Sequence, residues 1–216
     1  MKSPPGTWSP WPMMHSMADL PRAFAALSRS LPDLAEPWSG EGRQAGVLVS
    51  LTHEDEPEVL LGRRAMHLKL HPGEIAFPGG KREAEDEGPW DTALREAEEE
   101  VGIAPSQVLR IGRMPYLLTR HGFEVWPCIG LVPAGLTLRV DPGEFDSVFH
   151  APLRAFADHS IFELSFIEDG GPGRWVPHYR LGDDNIWGVT AAVLAQLANL
   201  LYDAGFDLKR NWGQDP

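Results

Sequence analysis

Apolar positions divide this chain into blocks of helical and strand period. Leu20, Phe24, Leu27 and Leu31, at spacings of 4, 3 and 4, predict a short helix over Ala18–Leu31. Residues 1 to about 16 read as a loose tail, and Pro32–Gly42, with two Pro and two Gly, reads as a linker. Ala45–Leu51 and Glu58–Arg63 predict two strands around an acidic turn, His53–Pro57. Val108–Arg113 and Val125–Val132 supply further strands, and Phe145–Phe149 another. Trp90, Ala93, Leu94, Ala97 and Val101 give one helix an apolar face. Val193, Leu194, Leu197, Leu200 and Leu201 stripe a second, over Val189–Tyr202, which packs against a sheet. Strands before, between and after these two helices predict an α/β fold with a mixed sheet between helices.

The chemistry concentrates in one place. Phe77-Pro78-Gly79-Gly80 is a glycine turn, and it is followed by Arg95-Glu96-Ala97-Glu98-Glu99-Glu100-Val101-Gly102-Ile103. At 3.6 residues per turn, Glu96, Glu99 and Glu100 fall within an arc of roughly 100° beside the apolar face. An acidic run on a helix is ordinarily a solvated face. Here Arg95 can pair with Glu99 at i,i+4, and Gly102 stands where a glycine would end the helix. The acids therefore crowd the negative end of the helix dipole, where a cation would compensate them. Oxygen-rich clusters of this kind suit hard ions such as Mg²⁺, which in turn hold phosphates.

This segment resembles the Nudix box, G-x5-E-x7-R-E-U-x-E-E-x-G-U, with U a bulky apolar residue. Arg95-Glu96, Glu99-Glu100 and Gly102-Ile103 match position by position, and seven residues separate Glu87 from Arg95, as in the pattern. The loop from Gly80 to Glu87 is one residue longer than the standard form, and Ala97 replaces a larger apolar residue. Upstream, LLGRRAMHLKLHPGEIAFPGG (residues 60–80) resembles the segment L-L-T-x-R-[SA]-x3-R-x3-G-x3-F-P-G-G of the coenzyme A pyrophosphatase branch of the Nudix hydrolases. Leu60, Leu61, Arg64, Ala65, Gly73 and Phe77 through Gly80 match, whereas Gly62 replaces the Thr and Lys69 the second Arg. Lys69 keeps the charge but loses the planar fork for bidentate phosphate contact. Ile186-Trp187-Gly188-Val189-Thr190-Ala191 adds a weaker likeness, so that the resemblance spans about residues 45 to 200.

The resemblance implies a Nudix-type α/β/α sandwich with a mixed central sheet. A tail, helix and linker over 1–42 would precede a Nudix hydrolase domain over 43–205, and a tail over 206–216 would follow it. The implied reaction is metal-dependent hydrolysis of coenzyme A and its thioesters to 3′,5′-ADP and 4′-phosphopantetheine, with Mg²⁺ or Mn²⁺. Glu96, Glu99 and Glu100 are the expected metal ligands, with the Gly80 carbonyl as a further oxygen by family analogy. Arg95 orients a glutamate and keeps it ionised. Glu87 either binds a second ion through water or merely decorates a loop.

The general base varies in this superfamily. Glu144 is a candidate because Pro142-Gly143-Glu144-Phe145 resembles the acidic turn before a late family strand, though a solvated loop acid is the more ordinary role for such a residue. Arg63, Arg64 and Lys69 form the best basic group for substrate phosphates, with a charged strand-end rim as the alternative. His67 and His71, beside them, are phosphate donors or ordinary surface histidines.

Composition narrows the partners. A net charge of −12 argues against nucleic acid, whose binding needs a basic footprint. It does not forbid a small anionic substrate, because a bound metal and a few local cations dominate at short range. Cys128 is the sole cysteine, so no internal disulfide forms, and a cytoplasmic setting is expected. Its apolar strand context suggests a buried thiol rather than a nucleophile. No stretch of 18 apolar residues and no signal peptide is apparent, so no membrane partner is expected. The chain is expected to be a monomer or homodimer. Two rival readings remain: hydrolysis of another nucleoside diphosphate derivative, such as ADP-ribose or a dinucleotide, and a catalytically silent nucleotide sensor. A silent domain should have lost acids from the box, and this chain keeps all three.

Overall fold

Ten residues of β1 (Arg43–Thr52) run parallel to ten of β7 (Phe123–Val132), from Arg43 beside Phe123 to Thr52 beside Val132. Both strands are buried along almost their whole length, which is how a strand covered on both faces reads. In this computed structural model the chain is described at residues 20, 22–31, 37–38, 42–168 and 173–208. The expected tail over 1–16, the predicted helix start at Ala18, most of the 32–42 linker and the chain beyond 208 lie outside the described residues.

The remaining strands of an eight-stranded mixed sheet join this pair antiparallel. On one side, β1 pairs with β2 (Glu58–Arg64) at Leu51 and with β4 (Gly79–Lys81) over Ala45–Val47. β2 in turn carries β3 (Ile75–Ala76) and β8 (Phe145–Pro152). On the other side, β7 carries β5 (Leu109–Arg113) and β6 (Leu117–Leu118).

Alternation along the central strands feeds two cores. Leu48, Leu60 and Cys128 face α2 (Pro89–Val101), meeting its Trp90, Ala93, Leu94, Ala97 and Val101. Val49, Leu51, Leu61, Ile129 and Leu131 face the opposite way, into a larger core with α1 (Arg22–Ser30) and α3 (Gly188–Tyr202). Helices therefore cover both faces of a mixed sheet, as the sequence predicts. Phe24 and Leu27 of α1 and Phe206 beyond α3 belong to the larger core rather than to detached ends.

A second, three-stranded sheet lies beside the expected mixed sheet, and its strands are absent from the sequence prediction. It comprises β9 (Phe162–Ile167), β10 (Arg174–Leu181) and β11 (Asp184–Trp187), with β10 in the middle. Pro177 stands inside that central strand, opposite Leu164, where proline ordinarily argues against a strand. Charged Arg180 and Glu163, which bond to each other across the sheet at 2.6 Å, further mask the apolar alternation.

Candidate metal and phosphate site

The helix α2 starts at Pro89, whose missing N–H costs nothing in the first turn, and Asp91 accepts hydrogen bonds from Gly88 N–H and Glu87 N–H. It ends at Gly102 (φ 75°), in the left-handed conformation that glycine adopts freely, with Gly102 N–H donating to Glu98 O at 3.1 Å. Beyond the helix, Arg139 N–H donates to Val101 O and Asp141 N–H to Glu100 O, at 2.9 and 2.8 Å. The loop before β8 is thus pinned to the negative end of α2, and it brings Glu144 towards the acids.

Two of the acids meet the glycine turn. Gly79 N–H donates to Glu100 Oε2 at 2.8 Å. Glu96 lies so close over Gly80 that a Cβ there would stand 2.3 Å from its Oε1, so any larger residue would push the carboxylate aside. Glu100 is 4% exposed, and burial, with Glu96 and Glu144 nearby, pushes its carboxyl up to about 8 against the Gly79 hydrogen bond and Arg64. Burial likewise raises Glu96, in spite of Arg95. Glu99 is different: its side chain is 61% exposed and turned towards Arg95.

Among the described residues no three carboxylates, thiols or imidazoles converge into a ready-made metal cage. The donor set nevertheless fits a hard divalent ion. Glu96 and Glu100 converge on the Gly79–Gly80 turn, burial disfavours the charge of Glu100 in spite of Gly79 and Arg64, and Mg²⁺-type ions complete their shells with water.

Arg95 is held by more than the expected i,i+4 partner. Its contact with Glu99 is 3.5 Å, whereas Glu96 Oε1 and Asp86 Oδ2 are each at 3.0 Å, and Nη2 also donates to the Lys81 carbonyl. Asp86 was missed by the sequence reading. It is 6% exposed and also accepts from Thr92 Oγ1 at 2.6 Å and Glu83 N–H at 2.9 Å. Burial opposes its ionisation, yet hydrogen bonds from Arg95, Glu83 and Thr92 win and hold its carboxyl below the usual range. Glu87, singled out by spacing, is exposed, and Arg95 makes its ion pair with Asp86 instead. A signal was available: with five residues between, as in the pattern, Gly80 is followed by Asp86, so the extra residue of the loop lies after the acid rather than before it.

The basic group is divided by the pleat of β2. Arg64 Nη2 is 3.5 Å from Glu144 Oε2, on the side of the acids, and its Nε is buried without an acceptor. Arg63 instead makes a 2.6 Å ion pair with Asp184 of β11. It therefore does not join Arg64, contrary to the expected cluster. His67 and Lys69 are exposed on the loop after β2, and His71 Nδ1 lies 3.0 Å from Glu74 Oε1. Cys128 is fully buried, and burial raises its thiol far above the ordinary range, which leaves it inert as a nucleophile.

Comparison with known proteins follows the same lines. The NUDIX domain family model matches residues 42–167. An uncharacterized Nudix hydrolase NudL from Yersinia enterocolitica is 38% identical over 161 residues, covering 74% of this chain and 83% of that protein. Its namesake from Photorhabdus laumondii is 35% identical over 185 residues, 86% of this chain and 97% of the relative. Among solved structures, a MutT/nudix family protein from Enterococcus faecalis superposes with a TM-score of 0.50 at 19% identity, covering 83% of this chain and 68% of that one. That likeness supports the fold. The length matched by the family model and the identity to the NudL proteins go further, and they establish that this chain belongs to the Nudix family.

Proposed function

We propose that this Nudix protein hydrolyses the pyrophosphate of coenzyme A and its thioesters, releasing 3′,5′-ADP and 4′-phosphopantetheine or its acylated form. The observation that carries this reading is the position of Arg64. Its guanidinium, 21% exposed, pairs with Glu144 at 3.5 Å and stands close enough to Glu100 to favour its ionised form. A part-exposed guanidinium of this kind suits a phosphate oxygen. Arg64 also falls on the matching Arg of the coenzyme A pyrophosphatase segment over residues 60–80, with Lys69 close behind on the same loop.

Water attacks an anionic anhydride slowly, so the site has to neutralise charge, orient water and remove a proton. A divalent ion, Mg²⁺ or Mn²⁺, supplies charge neutralisation and a more acidic water when bound. Glu96 and Glu100 would hold it, with the Gly80 carbonyl and with Glu99 once that side chain turns from Arg95. Arg95, fixed by Asp86, keeps Glu96 in place over Gly80. Glu144, on the loop pinned to the end of α2, is the proton acceptor of this reading. Arg64 and Lys69 bind the substrate's phosphates, and His67 and His71 line the same loop.

The test is a chromatographic assay of coenzyme A, its thioesters and ADP-ribose with Mg²⁺, with Mn²⁺ and with chelator. The expected products are 3′,5′-ADP and a phosphopantetheine, formed only with metal. Preferential cleavage of ADP-ribose would transfer the reading to another nucleoside diphosphate derivative. No turnover of any substrate would favour a silent sensor.

A further inference from the structure

Where β2 and β8 reach the site, β8 carries one residue more than its partner. Pairing runs in register as far as Arg63 beside Ser147, and the next pair is Arg64 beside Phe145, so Asp146 is left over as a bulge. Had the ladder continued in register, Asp146 would stand directly opposite Arg64. Opposite charges attract across a sheet at such positions, and the guanidinium would then have a carboxylate partner of its own. Instead Asp146 Oδ2 accepts a hydrogen bond from Met66 N–H at 3.1 Å, two residues beyond Arg64. The place opposite Arg64 goes to Phe145, a buried ring that fills the space over Gly62, where a Cβ would collide with it. Just before that ring, Glu144 O accepts from Ala65 N–H at 2.9 Å. Three successive residues, 144–146, therefore clasp residues 62–66 by a carbonyl, a ring and a carboxylate.

We infer that Asp146 is a positioning residue for Arg64: by bonding Met66 N–H it fixes the end of β2 and keeps its own carboxylate away from the guanidinium, which stays beside Glu144 and open to a phosphate. This rests on the reading of Arg64 as a phosphate ligand. Asp146 touches no substrate and acts only through the strand end that carries Arg64. The backbone around Arg64 is otherwise tied to the β3 side, with Arg64 N–H donating to Glu74 O and Gly73 N–H to Arg64 O, each at 2.9 Å. The bond to Asp146 ties it to β8, the strand that follows Glu144. Asp146 is exposed, so water screens its charge, and what it supplies is an acceptor oxygen at a fixed place.

The test is a double-mutant cycle on the full chain with Mn²⁺, using whichever of coenzyme A and ADP-ribose the parent cleaves faster. It compares the parent, Asp146→Ala, Arg64→Ala and the double variant, with Asp146→Asn beside them. Phe145 keeps its seat over Gly62 in all of them, so each should fold, and a melting curve checks this. Asp146→Ala should raise KM by about threefold to tenfold, the range for losing one hydrogen bond, with kcat near the parent's. In the Arg64→Ala background the same change should move KM by less than about twofold, because the residue it positions is gone. Asp146→Asn keeps an acceptor oxygen and should stay close to the parent. Equal effects of Asp146→Ala in both backgrounds, no effect in either, or a fall in kcat alone overturns the inference while the reading of Arg64 stands. A loss in Asp146→Asn equal to that in Asp146→Ala overturns it too, since charge rather than the hydrogen bond would then matter. Arg64→Ala with the parent's KM, or a parent that cleaves neither substrate, overturns the reading of Arg64 and the inference with it.

Discussion

The two halves of the candidate site are built in different ways. The acid half comes from neighbours in sequence: Glu96 and Glu100 project from the last turns of α2, and a single glycine turn receives both. The basic half comes from distant segments. Arg64 ends β2, Glu144 arrives 80 residues later on the loop bonded to α2, and the two are joined across 3.5 Å. A helix fixes side-chain spacing by its own period, so the acid half follows from local rules. The basic half depends on which way the pleat and the bulge at Arg63/Arg64 send each side chain, and that is set by tertiary structure.

The acid half should break most sharply. Glu100→Gln and Glu99→Gln each remove a charge at nearly constant shape. Losing one ion-holding carboxylate should cost about 4 kcal/mol of transition-state stabilisation, a roughly thousandfold fall in kcat. Steady-state rates at saturating Mg²⁺ decide it, and near-parent turnover of Glu99→Gln would show that this exposed carboxylate never turns in to the ion.

The basic half should yield a smaller and more informative loss. Arg64→Ala should lower kcat/KM by about tenfold to a few hundredfold, and Lys69→Ala, an exposed cation, by less. Coenzyme A and its 3′-dephospho form separate the possible roles. A residue that binds the 3′-phosphate should, when removed, leave the two substrates alike, whereas one that binds the pyrophosphate should impair both equally. If neither variant alters either substrate, both residues are only a charged rim.

Asp86 and Glu87 give the comparison a control within the acid half. Asp86→Asn weakens a nearly buried ion pair and should lower the unfolding free energy by about 2 kcal/mol, while Glu87→Gln should stay within about 0.5 kcal/mol of the parent. Because the Asp86 carboxyl is held below its unfolded value, its contribution is present above pH 4 or so and is lost as pH falls through the folded value. Urea melts at pH 7 and pH 3 should therefore differ less for Asp86→Asn than for the parent.

Glu100 should show the opposite trend. Its carboxyl is raised to about 8, so the metal-free protein loses stability as pH climbs from near the ordinary glutamate value through 8. Glu100→Gln should melt above the metal-free parent at pH 9 and close to it at pH 5. A parent that gains stability over that interval relative to the variant would contradict the assignment.

These contrasts explain what was legible in the sequence. The helix of the box, its glycine stop, both central strands and α3 follow from apolar period and local turn chemistry. The three-stranded sheet was hidden by Pro177 and by cross-strand charges. Asp86 was hidden by a loop one residue longer than the pattern, since counting back from Arg95 finds Glu87 while hydrogen bonding selects its neighbour. The separation of Arg63 from Arg64 could not be read from adjacency, because successive strand residues point to opposite faces and only the fold brings Asp184 to one of them.

The most direct test of the central claim, that Glu96 and Glu100 form one ion site with the Gly79–Gly80 turn, is calorimetric titration of Mn²⁺ into the substrate-free protein and into Glu96→Gln/Glu100→Gln. The account predicts saturable binding in the parent and affinity weaker by about a hundredfold or more in the double variant. Equal affinity in the two proteins would contradict it.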